Sequence, residues 1–365
     1  MNRRQVAIGG AAIAVSVLGA GAVSVLRMGS MADFGAAAAA LRAPLPAQPV
    51  PADLVRMATL APNSHNTQAW RFVMDDGRVT ISPDFARRTP AVDPDDHHLY
   101  VSLGCAAANL EIAGAAAGLP GAITWDPAGD GAVTFDYEAG PAQPAPLLDA
   151  ILTRQSTRAD YDGNPVSPAD LTTLSAASAT PGVDLLLITE RAQIDQVRDL
   201  VVAGNSAQLA DPAFVQELKA WLRFNPAQAM ATRDGLFSAA SGNPTLPTWL
   251  GGIAFDLTYH AESENARYVR QLDSSAGVAV FVGDTADAAH WVQVGQACQR
   301  FALQATALGL RTAFINQPVE VPAVRGQLAA LLGLGEQRAD IVMRFGAGAP
   351  LPYSLRRPVE AVTAA

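Results

Sequence analysis

The side chains best suited to binding a small polar ligand are concentrated in one short segment, Ala61 to Phe72. Within it, Asn63 to Gln68 is an unbroken run of amide, hydroxyl and imidazole side chains. In a chain that is 50% hydrophobic, such a density favours a bound polar ligand over folding alone. The competing interpretation is a polar turn followed by a core tryptophan, Trp70.

Two basic clusters could bind an anionic ligand, namely Arg154 to Arg158 and Ser354 to Pro358. Guanidinium groups bind phosphate through paired hydrogen bonds. The whole chain nevertheless carries a formal charge of -9. This excludes nucleic acid or an anionic membrane as a general electrostatic partner, because no basic excess exists to neutralise phosphates. The sequence therefore predicts a local anion site.

Other common catalytic motifs are absent from the sequence. The five histidines form no HExxH or HxxxH array, and there is no CxxC and no GxSxG. The sequence thus predicts neither a metal site nor a serine hydrolase site. Cys105 and Cys298 lie in Ala-rich helical patterns and are predicted to be buried thiols. His97 and His98 follow three aspartates and are predicted to be a solvated helix start.

An internal repeat indicates the architecture that positions these residues. Pro51 to Leu54 recurs as Pro168 to Leu171, and each copy begins a helix with Pro in its first turn. A second echo is a pair of small-residue helices that end in Gly-Leu. It relates Val101, Gly104, Ala106, Gly118 and Leu119 to Val292, Gly295, Ala297, Gly309 and Leu310. The sequence predicts an α+β fold built from two unequal pseudo-repeats.

Short apolar or alternating runs predict the strands, and longer periodic patterns predict the helices between them. The predicted strands are Val133 to Tyr137, Leu185 to Thr189, Val278 to Gly283, Thr312 to Asn316 and Asp340 to Phe345. The predicted helices include Pro212 to Arg223 and Trp291 to Leu308.

These motifs resemble those of the nitroreductase family. The loop at Pro62 is similar to the family's Pro-Ser-x-x-Asn-x-Gln-Pro-Trp-x-Phe loop, with Asn63 in place of Ser and Ala69 in place of Pro. Arg154 to Arg158 resembles the family's Arg-Arg-Ser-x-Arg motif, and the final basic cluster resembles its C-terminal motif. The resemblance implies an FMN site with contacts from Pro62, Asn63, Ser64, Asn66, Gln68, Arg154, Gln155, Ser156, Arg158, Arg356 and Arg357.

The resemblance also implies roles for these residues. Arg154 and its neighbours would bind the FMN phosphate together with the C-terminal arginines, and Arg158 would lie near the pyrimidine edge. Asn316 or Gln317 would face flavin N5, because the glycines that the family usually has there are missing. No catalytic side chain is implied, since the flavin carries the reactive atoms.

One chain contains both sets of residues that would form such a site, the loop of the first half and the arginine motifs of the second. This arrangement resembles the Acg-like branch of the family and implies a single-chain mimic of the family dimer. The implied activity is electron transfer through FMN, with NAD(P)H as a possible donor, to a quinone or nitroaromatic acceptor. The alternative is a flavin-binding protein that sequesters FMN without turnover. Whether the chain is a monomer or a homodimer is left open.

The N-terminus indicates a separate segment. Arg3 and Arg4 precede an uncharged run, Val6 to Leu26, that resembles a twin-arginine export signal and is long enough to span a bilayer. The predicted organisation is a signal or anchor at 1–30, an Ala/Pro-rich linker at 31–50, a first half at 51–142 and a second half at 143–359. The second half carries an insert at about 223–250, which is predicted to be a wall or lid of the site.

This organisation predicts export to the periplasm or cell envelope, or membrane anchoring. The twin-arginine export machinery would then be a partner. A translation start at Met28 or Met31 would instead leave a cytoplasmic protein.

Overall fold

The structure, a computed structural model, describes residues 27–364. The predicted export signal therefore lies almost entirely outside the described residues. Eight strands form two four-stranded antiparallel sheets, one in each half of the chain, and β6 and β7 form a short parallel pair. The first sheet has the order β1-β2-β4-β3 and the second β5-β8-β10-β9. The strands are β1 (Trp70–Asp75), β2 (Arg78–Pro83), β3 (Gly121–Asp126), β4 (Ala132–Tyr137), β5 (Val183–Ile188), β6 (Leu222–Arg223), β7 (Leu236–Phe237), β8 (Gly277–Gly283), β9 (Arg311–Phe314) and β10 (Ala339–Gly346).

Helices connect and cover these sheets. They are α1 (Met31–Leu41), α2 (Pro51–Thr59), α3 (His97–Ala116), α4 (Leu148–Thr153), α5 (Pro168–Ser178), α6 (Arg191–Leu209), α7 (Pro212–Trp221), α8 (Pro226–Thr232), α9 (Thr248–Thr258), α10 (Ala261–Asp273), α11 (Ala288–Ala307), α12 (Gln317–Glu320), α13 (Pro322–Leu332) and α14 (Val359–Val362). The five predicted strands and two predicted helices are confirmed, with ends that differ by at most three residues. The Pro-Ala-Asp-Leu repeats begin α2 and α5, as predicted.

The two halves meet where α3 crosses α11, and the second sequence echo lies at this crossing. A Cβ atom on Gly104 would lie 1.9 Å from the Val292 carbonyl oxygen, and one on Gly295 would lie 2.0 Å from that of Val101. These reciprocal contacts relate equivalent positions of the two repeats, as at a two-fold interface. The single chain therefore contains both sides of a pseudo-symmetric interface.

Polar contacts at the same crossing are buried. The Gln299 amide donates to Asn109 Oδ1 at 2.7 Å, and the Asn109 amide donates to the Met57 carbonyl at 2.9 Å. Cys105 and Cys298 are both free and buried, which confirms the prediction for the two thiols. In the part of the chain that the structure describes, α3 is the one helix long and apolar enough to cross a membrane. It is mostly buried in this core.

The predicted linker at 31–50 is wrong for its first part, which forms α1. Ser30 accepts hydrogen bonds from the amides of Ala32 and Asp33 and so begins the helix. Phe34 is buried against Phe237, with ring centroids 4.4 Å apart. Alanine favours helix as well as flexible linkers, and the packing of one aromatic side chain decides between them here.

Replacing Gly104 or Gly295 with Ala should lower the free energy of unfolding by about 3 kcal/mol, because the added methyl group would overlap with backbone atoms of the facing helix. Gly326 in α13 is the matched control. A Cβ atom there meets nothing within 4 Å. Gly326→Ala should therefore stabilise the protein by about 0.5–1 kcal/mol. Urea unfolding of the three variants measures both effects, and equal stabilities would contradict the close crossing.

Candidate functional site

A cavity of about 350 Å³ lies between the two halves of the chain. Its polar part is lined by residues of the Asn63 loop, the start of α3, α6, α10 and the turn between β9 and α12. Its apolar part is lined by α7, α9 and the insert. Six predicted site residues line the cavity: Pro62, Asn63, Ser64, Arg158, Asn316 and Gln317. This volume lies within the range of small-molecule sites.

The backbone of the loop before β1 is held in a left-handed conformation that residues other than glycine rarely adopt. His65, Asn66 and Gln68 have φ values of 45°, 55° and 55°. The Asn63 carboxamide oxygen accepts the Gln68 amide at 2.8 Å. Left-handed backbone at three non-glycine positions costs free energy and persists only where surrounding contacts enforce it.

Asn66 and Gln68 supply those contacts and do not line the cavity. The Asn66 amide donates to the carbonyls of Gly235 and Leu355, at 3.0 and 3.2 Å. Gln68 donates to the Arg233 carbonyl at 2.9 Å and accepts the Arg357 amide at 2.8 Å. These two residues connect the loop to the insert and to the C-terminal segment.

Gln155 and Ser156 likewise do not line the cavity. The Gln155 amide donates to the Leu351 carbonyl at 2.9 Å, and its oxygen accepts the Leu351 amide at 2.7 Å. Ser156 forms an isolated parallel bridge with Thr312. Both residues fasten the start of the second half to β9 and the C-terminal segment.

Arg158, Asn316 and Gln317 are positioned at the polar end of the cavity. Asn316 Oδ1 accepts the Val342 amide at 2.9 Å, and the Gln317 amide donates to the Tyr268 hydroxyl at 2.6 Å. Gln317 Oε1 is buried without a hydrogen-bond partner. Burial lowers the pKa of Arg158 below its ordinary value. An uncompensated cation and a free amide oxygen both favour a polar ligand here.

Three arginines form a cluster near the loop: Arg154 and Arg356, which are buried, and Arg42, which is half-buried. Burial and the neighbouring Arg154 lower the pKa of Arg42 to about 9, although Tyr353 opposes this shift. Burial, followed by repulsion from Arg42 and Arg154, lowers the pKa of Arg356. No carboxylate of the described residues contributes to the pKa of any of the three. The cluster is therefore a concentration of buried positive charge without a counter-ion.

Backbone carbonyls accept hydrogen bonds from several guanidinium N–H groups of this cluster. Arg356 donates to the carbonyls of Thr59 and Ala61 at 2.6 and 3.0 Å, at the negative end of α2. Arg154 donates to the Leu60 carbonyl at 3.1 Å, but its Nε and Nη1 are buried without partners. Two free guanidinium donors thus point to an acceptor that the protein itself does not supply.

Arg357 departs from its predicted place, and Arg42 belongs to the cluster although no role was predicted for it. Arg357 lies outside the cluster and donates a hydrogen bond to the Ala361 carbonyl. Sequence reasoning missed Arg42, because it follows α1 in the segment interpreted as a linker. Its guanidinium stacks on the Tyr353 ring, 4.0 Å from the centroid. An arginine in an Ala-rich stretch was the available signal.

The prediction of a solvated start for α3 is wrong, because His97 and His98 are 0% and 6% exposed. Asp93 accepts the amides of His98 and Leu99, both at 3.0 Å, and so caps the helix from inside the protein. The three aspartates before α3 favoured a solvent-exposed helix start, but one of them, Asp93, caps the helix terminus. This capping turns the two histidines toward the core.

His98 and Glu320 form an ion pair on the cavity wall, a feature that the sequence did not reveal. His98 Nε2 lies 3.3 Å from Glu320 Oε1, and Glu320 Oε2 accepts the Gln208 amide at 2.6 Å. Burial alone would lower the pKa of His98, but hydrogen bonding to Glu320 and the charge of Asp93 raise it above 6.5. His65 also lines the cavity, and burial lowers its pKa to about 4.

Asp93, His97 and His98 each offer one potential ligand atom, and these atoms lie within 4.8 Å of one another. His97 Nε2 lies 3.0 Å from Asp340 Oδ1 but is not aligned as a hydrogen bond. Burial, followed by repulsion from His98, lowers the pKa of His97 well below 6.5, so the imidazole is neutral and forms no ion pair. The Asp93 oxygens are already used by the helix cap. In the described part of the chain, this group is a buried polar network behind the cavity wall.

Comparison with known proteins agrees with this architecture. A model of the Nitroreductase family matches residues 151–348, more than half of the chain. Two proteins of Mycobacterium tuberculosis, Rv3131 and acg, carry NAD(P)H nitroreductase in their names. Each is 24% identical to this chain over 322 residues. The Rv3131 match covers 85% of this chain and 89% of that protein, and the acg match covers 84% and 93%.

Among solved structures, the chain resembles an FMN-bound nitroreductase from Desulfitobacterium hafniense with a TM-score of 0.38 and 15% identity, over 59% of this chain and 96% of that one. It also resembles the FMN-dependent nitroreductase NfnB from Mycobacterium smegmatis, with a TM-score of 0.37 and 16% identity, over 55% and 86%. The family match over 151–348 is the decisive finding. The chain belongs to the nitroreductase family and has its α+β fold.

Replacing His98 with Gln should lower stability more at pH 6 than at pH 9. The raised pKa means that the ion pair stabilises the folded protein below pH 6.5 and that this stabilisation is lost as pH rises through the folded-state pKa. The difference between the two pH values should be about 1–2 kcal/mol. Urea unfolding at both pH values measures it. Exposed His260 provides the control variant, His260→Gln, and an effect of His98→Gln that is independent of pH would contradict the ion pair.

Proposed function

We propose that the protein binds FMN and is an oxidoreductase that passes electrons from NAD(P)H to a quinone or nitroaromatic acceptor. The observation that carries this proposal is the cluster of buried Arg154 and Arg356 with half-buried Arg42, which has free donors on Arg154 and no carboxylate partner among the described residues. The cluster lies beside the loop whose residues Pro62 and Asn63 line the cavity. A ligand with a dianionic tail and a polar planar head fits this arrangement.

The phosphate of FMN would be held by the arginine cluster. Arg154 offers two unpartnered buried donors. A phosphate accepts such donors through paired, charge-assisted hydrogen bonds. Burial, followed by repulsion from neighbouring guanidinium groups, lowers the pKa of Arg42 and of Arg356, and a bound phosphate would neutralise this repulsion.

The polar edge of the flavin ring would face Asn63, Ser64, Arg158, Asn316 and Gln317. FMN, when bound, supplies the two-electron chemistry, so the site needs no nucleophilic side chain. Arg158 provides a cation that would stabilise negative charge on the reduced ring. The free Gln317 oxygen is a hydrogen-bond acceptor on the same wall.

The acceptor would occupy the apolar part of the cavity. This part is lined by Phe214, Leu218, Phe224, Leu236, Leu246 and Phe255. Flat aromatic molecules such as quinones and nitroaromatics bury well against phenylalanine and leucine side chains. The ion pair of His98 with Glu320 adds a proton-bearing group to the cavity wall.

A second candidate function is FMN sequestration without turnover, and the insert favours it. Several residues of the insert line the cavity. Its Asp234 is held by a buried ion pair with Arg223 at 2.7 Å and by a second ion pair with Arg87. An insert fastened in this way could keep hydride donors from the ring.

We also propose that residues 1–26 direct the protein to the cell envelope or anchor it in a membrane. The twin arginines and the uncharged run after them support this location. NAD(P)H is scarce outside the cytoplasm. An exported form would therefore use a different electron donor, whereas an anchored form could face the cytoplasm.

The purified protein should carry a single FMN per chain. Only the first half has the amide-rich loop, and only the second half has the Arg154 to Arg158 motif, so one complete site is available. Absorbance at the flavin band, compared with protein concentration, measures the ratio. A ratio near two, or a colourless protein that cannot be reconstituted with FMN, would refute the proposal.

Changing Arg42, Arg154 or Arg158 to Ala should each weaken FMN binding by about 1.5–3 kcal/mol, the usual contribution of a charge-assisted hydrogen bond. Flavin fluorescence quenching measures the dissociation constant. Arg154→Lys keeps the charge and should retain part of the affinity. Arg78→Ala is the control, because Arg78 forms an exposed pair with Asp136. Unchanged affinity in all three alanine variants would exclude this site.

Reduction of the bound FMN under anaerobic conditions separates the two candidate functions. An oxidoreductase should be reduced rapidly by NAD(P)H and reoxidised over many turnovers by a quinone. A sequestering protein should be reduced slowly by NAD(P)H but readily by dithionite, because the insert excludes only the larger donor. Stopped-flow absorbance of the flavin band distinguishes these outcomes.

A further inference from the structure

Helix α9 exposes an apolar stripe to solvent. Trp249, Ile253 and Leu257 are 58%, 49% and 74% exposed. They are spaced four residues apart and therefore lie on one face of the helix. An exposed row of large apolar side chains on an ordered helix marks a surface that meets an apolar partner.

The opposite face of the same helix lines the cavity. Gly251, Ala254 and Phe255 are among the lining residues. Gly251 packs so closely that a Cβ atom there would lie 2.3 Å from the Phe224 ring. One helix thickness therefore separates the apolar part of the cavity from the exposed stripe.

The N-terminal run enters the described part of the chain beside this helix. The Met28 carbonyl accepts the Ala227 amide at 2.7 Å. Two residues earlier, the Asn225 amide donates to Thr248 Oγ1 at 3.0 Å, at the first residue of α9. Val6 to Leu26, an uncharged sequence of the length that spans a bilayer, thus joins the protein close to the start of the stripe.

We propose that the α9 stripe rests on a lipid bilayer and that the cavity takes an acceptor dissolved in that bilayer, a quinone with an apolar tail. Tryptophan favours the membrane interface, and isoleucine and leucine favour the acyl region below it. The single charge of α9, Asp256, is paired with Lys219 at 2.6 Å. Because the chain has a net charge of -9, apolar burial drives this docking, and it is insensitive to salt.

The bilayer contact is tested with the full chain reconstituted in phosphatidylcholine vesicles with brominated acyl chains. Bromine quenches tryptophan fluorescence within the membrane. The protein should show a quenched component that persists in high salt and is lost in Trp249→Phe. Trp125→Phe is the matched control and should retain it. Equal quenching in both variants would overturn the proposal.

A second copy of the chain is the competing occupant of the stripe. Leu257→Arg places a charge on an exposed position and should leave folding unchanged. A dimer in detergent that dissociates in Leu257→Arg, together with unquenched Trp249 in vesicles, would assign the stripe to a dimer and refute the bilayer contact.

The acceptor is tested separately and rests on the proposed FMN chemistry. In the same vesicles, Leu257→Arg should slow reoxidation by a quinone with a long isoprenoid tail, while reoxidation by a short water-soluble quinone stays unchanged. Equal rates for the tailed quinone in both proteins would refute membrane delivery. Failure of both quinones with the unaltered protein would refute the oxidoreductase function, and the quenching result would stand independently of it.

Discussion

The crossing of α3 and α11 is the contact on which the rest of the molecule depends. Gly104 and Gly295 let the two backbones approach so closely that no side chain fits between them. This approach joins the two halves and places the Asn63 loop of the first half opposite Arg158 of the second. A wider crossing would separate the Asn63 loop from Arg158. The glycines therefore determine the site geometry although neither lines the cavity.

The predicted site residues divide between positions that line the cavity and positions that support its loop. Asn66, Gln68 and Gln155 use their amides to connect the loop, the insert and the C-terminal segment. Amides suit this task because each offers a donor and an acceptor, and unmatched backbone groups are costly when buried. The left-handed loop can therefore persist. Its tip, Asn63 and Ser64, is left facing the cavity.

Electrostatics acts beside the cavity, and apolar burial acts within it. The arginine cluster behind the Asn63 loop is unfavourable by itself, as the lowered pKa values of Arg42 and Arg356 indicate, and an anionic ligand would relieve this cost. Within the cavity, the insert and α9 supply phenylalanine and leucine side chains. The family match begins at residue 151, and the loop from the first half completes the polar side of the cavity.

The sequence by itself determined the fold class, the repeat and six of the cavity residues, because helix caps, strand patterns and loop motifs are local signals. It could not decide which polar side chains face the cavity, since Asn66 and Gln68 differ from Asn63 only in partners far along the chain. Arg42, His98 and Glu320 were missed for the same reason. Only the tertiary structure brings Arg42 to Arg154 and His98 to Glu320, because burial and charge pairing depend on contacts between distant segments.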